Sequence, residues 1–261
     1  MQPDQPEPRP APPPAHPGSP PPPPGSFQPG RPHQAPVPVQ PAAPVEPARI
    51  TAVRVAAGFV VAGLALNILL DLVDVVLTPL ATSAAERGAA ADDPLVLASG
   101  VLALVFIGAL VATGVAFVTW LYIARKNLDR WRIRGLRWGP SWAIGAWILP
   151  LVNLVLPALV VHGVVRGSRT PPDQTEAPRG GSTLVWLWWL SYLLSGVGGV
   201  VFASQDFDNS DSTASIAGYN AISAVPDMVA AALAIVLVLW VARSQAQRQV
   251  ALDQRWAPPA A

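Results

Sequence analysis

The chain has 261 residues and a formal net charge of +1; 51% of the residues are hydrophobic, only 13% are charged, and none is cysteine. A soluble globular protein of average composition has about twice this charged fraction, and the charges here are confined between long apolar runs. Disulfide bonds, thiolate metal sites and thiol nucleophiles are excluded, and no whole-chain field would attract nucleic acid. The composition predicts an integral membrane protein. Lys126 is the sole lysine, an arginine bias typical of a GC-rich, actinobacterial genome.

Residues 1–48 form a proline-rich segment with almost no aliphatic clusters. Such a segment cannot bury enough apolar surface to fold, so we expect a disordered cytoplasmic tail with local polyproline II structure. It lacks the apolar core of a secretory signal, so the first apolar segment is expected to act as an uncleaved anchor. The tail either recruits a protein partner through its PxxP motifs or serves only as a solvated tether.

Four apolar segments are long enough, at about 1.5 Å per residue, to cross a hydrocarbon core about 30 Å thick. These predicted spans are residues 51–80, 95–123, 183–203 and 214–241. Together with a fifth, interrupted segment at 142–165, they make up an all-α membrane domain over residues 49–243, followed by a short cytoplasmic tail at 244–261. Aromatic residues at the start of the third span predict a belt at the membrane boundary; they are Trp186, Trp188, Trp189 and Tyr192.

The loop after the second span is strongly basic, and Asp129 is its only acidic residue. Its cations are Arg125, Lys126, Arg130, Arg132, Arg134 and Arg137. By the positive-inside rule this loop is cytoplasmic, and its cations are candidate contacts for anionic lipid headgroups. The alternative is that these charges only set the topology of the chain. Beside a bilayer, neither interpretation requires nucleic acid.

The segment at residues 142–165 contains Pro150, Asn153 and Pro157. Each proline removes a backbone donor and disfavours helix in the preceding residue, so we expect two short helices of about eight residues around a broken centre. Eight residues extend only about 12 Å. The segment therefore either enters the membrane and returns to the same side, or crosses it as a kinked span.

Charge distribution favours re-entry of this segment. If it crossed, the following loop, with Arg166, Arg169 and Arg179, would lie outside and the acidic loop at 206–211 would lie inside, against the positive-inside rule. If it re-enters, Arg87 is the only basic residue outside. We therefore predict four transmembrane helices plus one re-entrant segment in a bacterial plasma membrane, with both termini cytoplasmic; five spans are the alternative.

Three carboxylates lie within predicted spans. Asp71 and Asp74 belong to a polar stripe on the first span, and Asp227 follows Pro226 in the last. The stripe faces either a cavity or the far interface of the membrane. Asp227 either caps a helix beginning at the proline or faces the first span across the bundle.

Catalytic motifs are lacking. His162 is the only histidine outside the tail, and neither a GxSxG elbow nor a P-loop is present. We expect no enzymatic activity, no metal and no cofactor.

Several motifs resemble a bacterial family of domains of unknown function, family 4328. They are the stretches 120–127, 137–157, 166–168 and 186–190. The similarity is most specific at Trp120, Arg125, Asn127, Trp142, Pro150, Asn153, Leu154 and Pro157; Val165 departs from it, where a tryptophan is typical. The resemblance implies a multi-pass membrane protein with a proline-rich N-terminal extension and supplies no chemistry.

Two functions follow from this sequence. The first is a membrane scaffold that binds anionic lipid or a protein partner and recruits through its proline-rich tail. The second is a small transporter or channel-like protein, whose cavity is lined by the broken segment 142–165 and faces Asp71, Asp74 or Asp227.

Overall fold

The computed structural model describes residues 48–90, 92–149, 151–203 and 212–256, and the side chains of α5 and α6 only up to residue 196 and from 224 to 255. The proline-rich tail up to residue 47, Pro150 and the acidic loop at 206–211 lie outside the described residues. In chain order the helices are α1 (Ile50–Glu86), α2 (Pro94–Arg130), α3 (Trp142–Gly145), α4 (Leu156–Ser168), α5 (Thr183–Ala203) and α6 (Ser212–Trp256). A 3-10 turn at Val152–Leu154 lies between α3 and α4.

The described part of the chain is all-helical, and three of its helices are long and apolar enough to cross a membrane. They are α1, α2 and the Ala224–Arg255 part of α6. Each 37-residue helix, α1 or α2, is about 55 Å long, well beyond a hydrocarbon core of about 30 Å. The predicted spans 51–80, 95–123 and 214–241 begin one or two residues after the start of these helices, which extend beyond the predicted ends, and α6 continues to Trp256 through most of the predicted tail 244–261. The predicted span 183–203 coincides with α5, which is not among the three.

Local interactions fix both ends of α2. The Asp93 side chain accepts a hydrogen bond from the Leu95 N–H at 2.9 Å, and Pro94 occupies the first turn, where no donor is needed. At the other end the Ile133 N–H donates to the Leu128 carbonyl (2.9 Å) while Arg132 has a φ of 54°. This is a Schellman ending with arginine in the left-handed position that usually favours glycine.

The long helices pack around α1 and α6. Helix α1 lies against both α2 and α6, and α6 lies against α5. The predicted aromatic belt is wrong for two of its members, because Trp188 and Trp189 are 4% and 3% exposed and belong to the core. Trp147 meets Trp189 edge to face with ring centroids 6.1 Å apart, and Phe117 of α2 lies 5.7 Å from Trp188. The broken segment thus contributes an aromatic contact to the core.

The broken segment differs from the expected pair of eight-residue helices: α3 has four residues and α4 has thirteen. Pro157 lies in the first turn of α4, where its missing N–H is harmless. Instead of interrupting the second helix, this proline begins it. The Leu154 carbonyl just before α4 accepts a hydrogen bond from the Trp189 indole N–H at 2.9 Å.

The loops before and after the broken segment are hydrogen-bonded to each other. The Arg134 N–H donates to the Thr175 carbonyl at 2.6 Å, and the Ala177 N–H donates to the Arg134 carbonyl at 3.1 Å. Ala177 also packs with Leu128 and Ile133. Both loops therefore lie at the same end of the helix bundle, beside the C-terminus of α2.

Candidate functional site

A buried polar network joins the ends of four segments at this end of the bundle. Asn127 on α2 and Gln245 on α6 are both fully buried, and the Asn127 amide N–H donates to Gln245 Oε1 at 3.0 Å. Gln245 Nε2 donates in turn to the Ala124 carbonyl (3.0 Å) and to Ser168 Oγ of α4 (3.2 Å). Asn127 Oδ1 accepts from the Arg49 N–H, just before α1, at 2.9 Å. Two amide side chains thus fix the relative positions of α1, α2, α4 and α6.

Arg248 extends this network one turn further along α6. Its guanidinium donates to the carbonyls of Thr170 and Pro171 and, at 3.0 Å, to that of Gln174. The same group lies 5.4 Å from the ring centroid of Trp131. Because carbonyls of an irregular loop need donors when they are buried, Arg248 holds the loop after α4 against α2 and α6.

The six cations of the basic loop divide into two groups. Arg125 and Arg130 are buried: Arg125 donates to the Trp138 carbonyl at 2.7 Å and forms a salt bridge with Asp129, and Arg130 donates to Asn127 Oδ1 at 3.3 Å. The exposed group consists of Lys126, Arg132, Arg134 and Arg137. Of the six loop cations, only these four side chains are exposed.

A second polar group lies within the apolar part of α1. Asn67 donates through Nδ2 to the Gly63 carbonyl (2.8 Å) and to Thr113 Oγ1 of α2 (2.9 Å). Among the described residues, Asn67 Oδ1 is buried without a hydrogen-bond partner. One turn on, Asp71 is 8% exposed, and Asp74 accepts a hydrogen bond from the Thr78 hydroxyl at 2.7 Å.

The structure brings Asp227 close to this stripe. Asp71 on α1 and Asp227 on α6 interact electrostatically, whereas the Ser195 hydroxyl of α5 donates to the Tyr192 carbonyl at 2.8 Å. Pro226 lies inside α6 and the helix continues through it, so the interpretation of Asp227 as a helix cap is wrong. Carboxylates of two different helices therefore influence each other.

Tyr192 of α5 interacts with both the broken segment and Asp227. Trp147 meets Tyr192 edge to face at 6.2 Å, and Tyr192 interacts electrostatically with Asp227. Asn153 Oδ1 is buried, with no partner among the described residues. Pro157 is buried within α4, and Pro150 lies outside the described residues.

Sequence reasoning did not identify the centre of the polar network. Asn127 had one signal, its place in the family motif. Gln245 and Arg248 had none, because both lie in a polar stretch of helix where nothing in the sequence distinguishes a buried residue from an exposed one. Within the described residues, no three His, Asp or Glu side chains come together as a metal site would require.

These features indicate a helical membrane protein whose polar residues are gathered at one end and in one intramembrane patch. The model of the family described as "Domain of unknown function (DUF4328)" matches residues 81–246, more than half of the chain. The chain belongs to this family, which confirms the resemblance found in its motifs. Neither a curated protein nor a solved structure gave a significant match.

Replacing Asn127 by alanine should destabilise the protein by about 2–4 kcal/mol, because it leaves Gln245 Oε1 and the Arg49 N–H without their buried partner. Thermal and denaturant unfolding in detergent would measure the change. The adjacent exposed Lys126→Ala is the matched control and should shift stability by less than about 0.5 kcal/mol. Equal Tm values for the two variants would contradict the central role given to Asn127.

Proposed function

We propose that this protein is a non-enzymatic membrane scaffold that presents a cytoplasmic basic face to anionic lipid and recruits a protein partner with its proline-rich tail. The observation that carries this proposal is the Asn127–Gln245 network, which gathers the chain's cation-rich loops and helix ends around one end of the bundle. The two buried loop arginines maintain this face, and the exposed cations form it.

The proposed topology is four spans plus the re-entrant segment, with both ends of the membrane domain cytoplasmic. The Arg49 to Asn127 bond supports a common end for the start of α1 and the end of α2. The Gln245 bonds support the same end for α6. The backbone hydrogen bonds of Arg134 with Thr175 and Ala177 support a segment that enters and leaves the membrane on the same side. An even number of crossings satisfies all these contacts.

Basic residues on this end support its cytoplasmic assignment. Besides the exposed group of the first loop, Arg169, Arg179, Arg243 and Arg255 are exposed here, whereas Arg87 lies in the loop between α1 and α2. Cations at the inner surface of a bacterial plasma membrane are retained there during insertion and are attracted by anionic lipid.

The sidedness of the loop after α4 tests this topology. In this cysteine-free chain, Thr175→Cys is exposed and nearly isosteric, and Ala90→Cys in the loop between α1 and α2 and Gln254→Cys near the end of α6 are matched reporters. A membrane-impermeant maleimide should label only the Ala90→Cys protein in intact cells, and all three after permeabilisation. Labelling of Thr175→Cys from outside would establish five spans.

The two binding functions of the scaffold can be measured in one experiment, by purifying the protein in polymer-bounded native membrane discs. Replacing Lys126, Arg134 and Arg137 by glutamine should lower the anionic-lipid content of the discs, since each cation near the surface contributes about 1 kcal/mol, and should leave co-purifying proteins unchanged. Deleting residues 1–47 should reduce the co-purifying proteins and leave the anionic-lipid content unchanged. Each variant is the other's control, and unchanged lipid and protein contents would refute the proposal.

A second candidate function is cation or proton translocation, favoured by the electrostatic interaction of Asp71 on α1 with Asp227 on α6, both within predicted spans. Ionisable residues inside a membrane commonly face a bundle interior and mark ion pathways. The aromatic contact of Trp147 with Tyr192 would connect the broken segment to that pathway.

Asp227→Asn should abolish ion flux under this second candidate, because the amide cannot carry the charge or release the proton. Liposomes containing the purified protein and a pH-sensitive dye would report the dissipation of a pH gradient in several cation solutions. The exposed Glu86→Gln is the control and should behave like the unmodified protein. Flux equal to that of protein-free liposomes for the unmodified chain would exclude this candidate.

A further inference from the structure

A groove runs between α1 and α6, and none of the residues assigned to the two polar groups lines it. Its cavity volume is about 630 Å³, within the range of about 300–1,000 Å³ typical of small-molecule sites. The residues that line it are Arg54, Ala57, Gly58, Val61, Ala62 and Ala65 of α1, with Leu239, Ala242, Arg243, Ala246 and Gln247 of α6.

The groove owes its existence to small side chains. Gly58 and Ala62 lie one turn apart on α1, and Ala242 and Ala246 do so on α6. A Cβ atom added at Gly58 would meet nothing within 4 Å, so the groove is open beside this glycine. The two helices are packed closely beneath it through Ala57, which is buried.

The positive charge of the groove is concentrated at one end. Arg54 lies near the start of α1 and of its predicted span at 51–80, and Arg243 follows the predicted span at 214–241 in α6. Both exposed arginines therefore lie at the same membrane boundary. In the described residues neither forms a salt bridge, and the amide of Gln247 is available beside them. From Arg54 to Ala65 the groove follows α1 for eleven residues, roughly 16 Å, which is close to the depth of one leaflet, about 15 Å.

We propose that this groove binds one anionic phospholipid, with the headgroup phosphate held by Arg54 and Arg243 and an acyl chain lying along Gly58, Ala62 and Ala65. Arginine suits a phosphate because its planar guanidinium donates two parallel hydrogen bonds. The shallow floor of methyl groups and glycine accepts a flexible chain of methylenes. The site uses no cation of the first loop; it shares Arg243 with the basic end described above, and its argument rests on the lining of the groove.

A second copy of the chain is the competing occupant, because small residues four apart also let helices approach closely. Pairs of identical chains mostly associate through the same surface on both partners. Such pairing would bring four arginines together in one patch, with like charges facing each other. A phosphate neutralises that patch, so the charge favours a lipid.

Native mass spectrometry of the full chain in detergent, titrated with phosphatidylglycerol or with phosphatidylcholine, tests this site. The unmodified protein should retain one phosphatidylglycerol more tightly than phosphatidylcholine. The double variant Arg54→Gln, Arg243→Gln should bind phosphatidylglycerol about 30-fold more weakly, as expected for two lost cations, with phosphatidylcholine binding unchanged. Arg87→Gln, at the other end of α1, should have no effect.

Gly58→Leu tests the acyl-chain part of the site, because the leucine side chain fills the groove without altering its charge. It should remove tight retention of the phosphatidylglycerol. Gly108→Leu on α2 is the control, since a Cβ atom there also meets nothing within 4 Å. Retention that survives both the Gly58→Leu and the double arginine substitutions would overturn the proposal, as would a dimer peak that Gly58→Leu abolishes.

Discussion

The structure depends on one constraint: polar groups buried where several helices meet must find partners among themselves. The Asn127 and Gln245 side chains satisfy one another and, in addition, a backbone N–H before α1, a carbonyl of α2 and a hydroxyl of α4. No single helix could supply these partners. The network therefore forms only when the ends of α1, α2, α4 and α6 come together, and it selects one register for each of them.

Away from this network the protein depends on the membrane. The most apolar stretch of α2 contains no residue buried inside the protein, and that of α1 contains few. The exposed leucine and valine side chains of both helices are therefore stable in contact with lipid but would be unfavourable in water. Association of such helices rests on close packing and a few hydrogen bonds instead of the hydrophobic effect. The Asn67 to Thr113 bond and the small residues between α1 and α6 serve this purpose, and the same small residues leave the groove beside Arg54 and Arg243.

The broken segment and the aromatic residues show where sequence patterns are ambiguous. Tryptophans near the end of a span are typical of membrane interfaces, yet Trp120, Trp188 and Trp189 are core residues here, in one cluster with residues of α3 and α4. Likewise, all six cations of the first loop look alike in the sequence, but Arg125 and Arg130 turn inward to carbonyl and amide oxygens. The prolines correctly indicated where the chain is irregular. Pro157, however, lies in the first turn of α4, where an interruption was predicted.

The class of the protein, its family, the positions of its long apolar helices and the candidate polar residues within them can all be predicted from the sequence alone. These are properties of composition, period and motif, and each can be read from neighbouring residues along the chain. The tertiary structure was needed to show which cations are buried, that Gln245 and Arg248 hold the bundle together, that Asp227 and Asp71 interact electrostatically, and that a groove lies between α1 and α6. Each of these depends on side chains from helices far apart in the sequence, and their meeting is determined by packing geometry that no local pattern records.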